Sequence, residues 1–200
     1  MSAEKPVGIV LAGGASRRMG GNPKSLEALG ERTLLANAVE RLAPQVQLIL
    51  VSGPEELRSH LAEDIAVVAD PFEDRRGPLA GILAGMIWCE ENAPNATSLI
   101  SVPVDTPFFP SDLAERLEAE RPPEGNALAR VGGKVQPAFG AWNVGMRASL
   151  QSFLLTTDTY KVLAFTDEHV CGYADFEDAE AFDNANTPDD LERVRERAKA

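Results

Sequence analysis

Short apolar runs alternate with longer stretches of helical periodicity along the first half of the chain. The runs are rich in Val and Ile and occupy residues 7–11, 46–51, 65–69 and 98–104. Such short, nearly continuous apolar runs are typical of strands covered on both faces, as in a parallel sheet. Stretches of helical length lie between or after them, at residues 33–43, 54–63, 78–91 and 111–120. This alternation predicts an open α/β sheet with right-handed crossovers.

The last third of the chain has a different pattern. Residues 127–133 and 134–142 form two strand-like segments joined at Gly132-Gly133, which predicts a β-hairpin. Residues 144–155 and 186–200 have helical patterns. Ser111 is the expected N-cap of the helix at 111–120, and Thr187 with Asp190 predicts a capping box for the final helix.

These elements predict one α/β domain over residues 1–200, with helices on both sides of a mostly parallel, twisted sheet in three layers. We expect a Rossmann-like, nucleotide-binding half at about 1–110. The second half, at about 111–200, contains the predicted hairpin. Two hundred residues suffice for a large core without disulfides or structural metals.

The net charge and the length of the apolar runs argue against two classes of protein, those that bind nucleic acid and those that span a membrane. The net charge is −12, whereas a nucleic-acid-binding protein would carry a basic face. No stretch approaches 18 apolar residues, so we expect a soluble, cytoplasmic protein that does not span a membrane. An enzyme with a phosphate-rich substrate would need a local positive patch to overcome the overall negative field.

The segment at residues 11–26 supplies such a patch directly after the first strand. Its glycines let backbone N–H groups approach an anion closely, and three cations lie within eight residues: Gly13, Gly14, Gly20 and Gly21, with Arg17, Arg18 and Lys24. Ligands of open α/β sheets bind at the carboxyl ends of strands. The spacing matches neither a Walker A loop nor a GxGxxG fingerprint, so we interpret it as a phosphate-binding loop of a third type.

Two aspartates also follow apolar runs. Asp105 ends the run at 98–104, where a carboxylate can hold Mg²⁺ beside substrate phosphates. The residues alone are equally compatible with Asp105 as a turn or capping residue. Asp70 ends the run at 65–69 and precedes a helix containing Gly81 and Gly85, which packing against the sheet explains at least as well as ligand contact.

Taken in order, LAGGASRRMGG with Lys24, GPLAG, VDTPF and FDNANTPDDL resemble the molybdenum cofactor guanylyltransferases, the molybdopterin-guanine dinucleotide biosynthesis protein A family. The resemblance covers nearly the whole chain. It implies transfer of GMP from GTP to molybdopterin, with release of pyrophosphate and Mg²⁺ as cofactor. It also implies transient contact with molybdoenzymes or molybdenum-insertion proteins.

The resemblance also implies roles for individual residues. The backbone of Leu11, Ala12, Gly13 and Gly14 would contact the nucleotide, Lys24 the triphosphate and Asp70 the nucleoside. Arg18 would neutralise phosphate charge, and Asp105 would bind the metal. Asn184 and Asn186 would lie near the acceptor. Gly13 favours guanine, because the related cytidylyltransferases typically carry Ala at this position.

The chain also departs from the family pattern. Pro23 stands where the family usually has Asp, residues 51–54 lack the usual Asn, and Gln136 replaces a frequent His. Two alternatives therefore stay open. One is a cytidylyl or sugar-phosphate nucleotidyltransferase of the same superfamily, and the other is a noncatalytic carrier of nucleotide or molybdopterin.

Overall fold

The computed structural model describes residues 5–13, 23–74 and 76–198. Its strands, in chain order, are β1 (Val7–Leu11), β2 (Ala28–Leu29), β3 (Arg32–Thr33), β4 (Leu48–Ser52), β5 (Ala66–Val68), β6 (Ser98–Pro103), β7 (Asn126–Val131), β8 (Lys134–Asn143) and β9 (Cys171–Phe176). Its α-helices are α1 (Leu34–Leu42), α2 (Pro78–Asn92), α3 (Leu113–Glu120), α4 (Arg147–Thr156), α5 (Val162–Thr166) and α6 (Pro188–Arg197).

Seven strands form one sheet in the order β5-β4-β1-β6-β8-β7-β9, while β2 and β3 pair separately. Pairing is parallel except where β8 lies antiparallel to β6 and β7. The mostly parallel α/β sheet predicted from the sequence is therefore confirmed. The chain moves outward from β1 to β5 and returns to the other side of β1 with β6. This reversal places a topological switch point between β1 and β6.

Helices cover both faces of the sheet, which confirms the three layers. The alternation of side chains along β1 divides the core, since Val10 faces one side while Val7 and Ile9 face the other. Apolar residues of α1, α3 and α6 pack on the side of Val10. Those of α2, α4 and α5 pack on the opposite side.

Most elements match the sequence prediction. The hairpin forms at Gly132 and Gly133, whose φ angles of 54° and 79° suit the left-handed conformation of tight hairpin turns. Thr187 and Asp190 form the expected capping box of α6. In α2, a Cβ on Gly81 would lie 2.9 Å from Leu11 Cδ2, and one on Gly85 would lie 2.8 Å from Ile9 Cδ1. Close packing on the sheet therefore explains both glycines.

Three expectations were wrong or incomplete. Residues 54–63 do not form an α-helix, since only Glu55–His60 are helical and they form a 3-10 helix with one buried residue, Leu57. The N-cap of α3 is Asp112 rather than Ser111, and its side chain makes no capping hydrogen bond. The strands β2, β3 and β9 and the helix α5 were not predicted. None of the helices in the described ranges is long and apolar enough to cross a membrane.

Candidate active site

The candidate site lies at the carboxyl ends of the central parallel strands. The backbone hydrogen bonds of the sheet continue one residue beyond three of these strands. The Ala12 N–H donates to the Ser52 carbonyl at 2.8 Å. Likewise, the Gly53 N–H donates to the Val68 carbonyl at 3.1 Å, and the Val104 N–H donates to the Leu11 carbonyl at 3.2 Å. The segments that follow β1, β4 and β6 therefore leave the sheet side by side. This extension fixes the starting point of the segments that carry Gly13 and Asp105.

Lys24, Asp105 and Asn186 meet at this edge, although they are far apart in the sequence. The Lys24 ammonium donates to Asp105 Oδ2 and to Asn186 Oδ1, both at 2.7 Å. The Lys24 side chain is 14% exposed and that of Asp105 is 23% exposed, so water only partly screens the ion pair. Three predicted site residues thus converge on one point.

Two hydrogen bonds, together called the clip, join residues 184–186 to the segment that follows β6 and hold this arrangement. Ala185 donates its N–H to the Asp105 carbonyl at 2.8 Å, and the buried Thr106 hydroxyl donates to Asn184 Oδ1. The sequence analysis did not single out Thr106, although it lies in the VDTPF motif beside Asp105. The clip places residues 184–186 against the segment that follows β6, so the two halves of the chain share the site.

One oxygen atom of Asp105 and one of Asn186 accept hydrogen bonds from the same cation, the Lys24 ammonium. A carboxylate and an amide carbonyl are also ligands suited to Mg²⁺, which commonly uses one or two carboxylates and completes its shell with water and phosphate oxygens. The described residues contain no group of three or more His, Cys, Asp or Glu side chains that could hold a metal.

Asp70 occupies a separate part of the edge. It follows β5, which is three strands away from β6 in the sheet, or about 14 Å at the usual spacing between strands. Its carboxylate accepts the N–H of Phe72 at 3.0 Å. Partial burial raises the pKa of the Asp70 carboxyl despite this hydrogen bond. Asp70 and Asp105 therefore lie at separate positions along the edge and do not form one cluster.

The remaining predicted residues fall into two groups. The Leu11 carbonyl and the Ala12 N–H are used within the sheet, whereas Gly13 is exposed at its edge. Of Leu11, Ala12 and Gly13, the glycine is therefore the best placed to offer backbone groups to a ligand. Gly14 and Arg18, together with Arg17, Gly20 and Gly21, lie outside the described residues, and their proposed contacts stay predictions.

Comparisons with known proteins identify a family and similar proteins. A family model described as the MobA-like NTP transferase domain matches residues 8–170. A molybdenum cofactor guanylyltransferase from Rhodopseudomonas palustris strain HaA2 is 42% identical over 190 residues, which cover 93% of this chain and 89% of the relative.

Solved structures share the fold at lower identity. Molybdopterin-guanine dinucleotide biosynthesis protein A from Archaeoglobus fulgidus is similar with a TM-score of 0.75 and 21% identity, covering 96% of this chain and 98% of its own. A manganese complex of Rv0371c from Mycobacterium tuberculosis H37Rv has a TM-score of 0.70 and 18% identity, covering 98% and 100%. At these identities the solved structures support the fold alone.

Proposed function

Because the chain belongs to the MobA-like NTP transferase family, we propose that it transfers GMP from GTP to molybdopterin and releases pyrophosphate. The product is molybdopterin guanine dinucleotide. The relative at 42% identity, named as a molybdenum cofactor guanylyltransferase, supports this substrate pair. The observation that carries the proposal is the meeting of Lys24, Asp105 and Asn186 at the switch point of the sheet.

The metal fits the residues present. Asp105 Oδ2 and Asn186 Oδ1 both accept from one cationic group, and the same two oxygens would serve as ligands to Mg²⁺. A protein with the same fold has been solved as a complex with manganese, another divalent ion that oxygen ligands suit. Bound there, Mg²⁺ supplies positive charge that offsets the charge on phosphate oxygens.

Lys24 supplies the mobile charge of the site. When GTP binds, its ammonium exchanges Asp105 for oxygens of the triphosphate, which its flexible four-carbon stem permits. A molybdopterin phosphate oxygen forms a bond to the α-phosphorus, and the bond from that phosphorus to the bridging oxygen of pyrophosphate breaks. Lys24 and, by the sequence resemblance, Arg18 stabilise the charge that develops on pyrophosphate.

The acceptor needs no general base. Its phosphate is already an anion, so the protein contributes position and charge rather than proton transfer. Asp70 and Gly13 face the nucleoside in this proposal, and the clipped segment containing Asn184 and Asn186 faces the acceptor. The nucleotide half at about 1–110 and the acceptor half at about 111–200 then meet at Lys24 and Asp105. The completed product would pass to molybdoenzymes or insertion proteins through transient contact.

Release of pyrophosphate tests the proposal. Purified protein with Mg²⁺ and molybdopterin should release pyrophosphate from GTP, and omission of molybdopterin should abolish the release. Parallel reactions with ATP, CTP and UTP provide the specificity control. A noncatalytic carrier would bind GTP without any release above the background. A cytidylyltransferase would instead use CTP.

A further inference from the structure

Arg76 connects the segment after β5 to the second half of the chain. Its guanidinium lies 3.9 Å from the centre of the Phe72 ring and 5.3 Å from that of Tyr160. It donates to the Leu154 carbonyl at the end of α4, and its Nε donates to Asp74 at 2.9 Å. The side chain is only 16% exposed. Such stacking and forked donation require the planar guanidinium of arginine.

These contacts continue to Asp70. The backbone N–H of Phe72, whose ring lies against Arg76, donates to the Asp70 carboxylate at 3.0 Å. At the other end of the segment, Gly77 adopts a φ of 67°, and a Cβ there would lie 3.5 Å from the Tyr160 carbonyl. The segment is thus fitted against the connection between α4 and α5. Residues 69–74 contain no helix or strand of their own to hold Asp70.

We propose that Arg76 is a positioning residue for nucleotide binding, which acts by holding Asp70 in place for the nucleoside. The inference rests on the proposed function, in which Asp70 contacts GTP. A segment without secondary structure loses conformational freedom when it orders on a ligand, and this loss weakens affinity. The contacts of Arg76 with Phe72, Leu154 and Tyr160 order the segment in advance. The same contacts tie the nucleoside side to the acceptor half.

The first test is the affinity for GTP, measured by calorimetry on the full chain. Arg76→Ala should weaken GTP binding about tenfold, the effect of losing one or two modest contacts. Turnover at saturating GTP should stay within about twofold, because Arg76 lies away from Lys24 and Asp105. Arg76→Lys keeps the charge but loses the planar stack. Its affinity for GTP should lie between those of the wild type and Arg76→Ala. It also serves if the alanine variant does not fold.

Arg147→Ala is the matched control. Arg147 also bridges two elements, since it pairs with Glu90 of α2 at 3.1 Å from its position in α4. Its loss should leave GTP affinity at the wild-type value. A general loosening of the fold would instead lower turnover as well as affinity in Arg76→Ala.

A double-mutant cycle with Asp70→Asn decides whether Arg76 acts through Asp70. If it does, the double variant should bind GTP about as weakly as Asp70→Asn alone, because the effects are not additive. Additive effects, or wild-type affinity in Arg76→Ala and Arg76→Lys, would overturn the inference while leaving the proposed function intact. Failure of the wild-type protein to bind GTP would overturn the proposed function itself.

Discussion

At the scale of single residues, Lys24 places a local positive charge at the strand edge of an acidic protein. The chain carries a net charge of −12, yet this ammonium is held at the strand edge by two oxygen acceptors. Its partners hold the charge in place, and in the proposed function phosphate oxygens would compete with them for it. A local cation of this kind matters more to a bound triphosphate than the distant negative field, which salt screens over about 8 Å.

Replacing Lys24 by alanine tests this role. We expect Lys24→Ala to lower turnover by roughly 10² or more, the scale for one preorganised electrostatic contact. The melting temperature should change little, because Lys24 lies outside both apolar core clusters. Lys134→Ala, on the exposed hairpin, is the control and should behave as wild type. Near wild-type turnover in Lys24→Ala would show that the ammonium does not act on the leaving group.

Asp105 admits two interpretations from sequence, as metal ligand or capping residue. In the structure its side chain pairs with Lys24, and its backbone carbonyl accepts from Ala185. Asp105→Asn keeps the size but removes the charge, so activity should collapse at low Mg²⁺ and recover partly at high Mg²⁺. Unfolding should stay near the wild-type temperature.

A capping role predicts the reverse pattern, namely about 1 kcal/mol of lost stability with activity intact. A magnesium titration of activity, with a melting curve for the same variant, separates the two. Asp112→Asn is a useful control, since Asp112 is exposed at the start of α3 and makes no capping bond. Full activity of Asp105→Asn at low Mg²⁺ would end the metal-ligand assignment.

How far the site was predictable depends on the range of the interactions. Lys24 and Asp105 carry a local signal, since each follows a strand-like run or a glycine-rich loop. The bond from Lys24 to Asn186 joins residues 162 positions apart, and only the fold brings them together. Thr106 and Arg76 carry no spacing signal, because their roles come from partners in distant segments, Asn184 and Leu154.

At the scale of elements, the predictions succeeded where burial alone sets the conformation. The run at residues 7–11 is buried throughout and forms β1 with the expected bounds. The stretch at residues 54–63 had helical length but only one buried apolar residue in its helical part, so packing could not stabilise a full helix there. Among the described strands, β9 pairs with β7 alone. It was missed because CGYADF lacks a clear alternation.

The packing of α2 on the sheet gives a test at this scale. A Cβ on Gly81 would lie 2.5 Å from Ser52 Oγ and 2.9 Å from Leu11 Cδ2. Gly81→Ala should therefore destabilise the protein by about 1–3 kcal/mol, the cost of overpacking, although alanine favours helix formation. Denaturant unfolding measures the change, with Glu91→Ala, exposed on α2, as the control. An unchanged or increased stability would contradict this packing.

At the scale of the whole molecule, the fold brings segments from the two ends of the chain together at one edge of the sheet. The return of the chain from β5 to β6 creates the switch point. Residues 184–186, near the end of the sequence, contact Asp105 and Lys24 there. The alternation of elements predicted the sheet and its two covered faces. It did not predict that the last segment would reach Asp105, because that contact depends on tertiary packing rather than on local pattern.

The most direct test of the account is the identity of the product. The protein is given Mg²⁺, molybdopterin and an equimolar mixture of GTP, ATP, CTP and UTP, and the dinucleotides are identified by mass spectrometry. We predict molybdopterin guanine dinucleotide as the main product, with one pyrophosphate released per dinucleotide and with little product from Lys24→Ala. Formation of the cytosine dinucleotide, or GTP binding without any dinucleotide, would contradict the proposed guanylyl transfer.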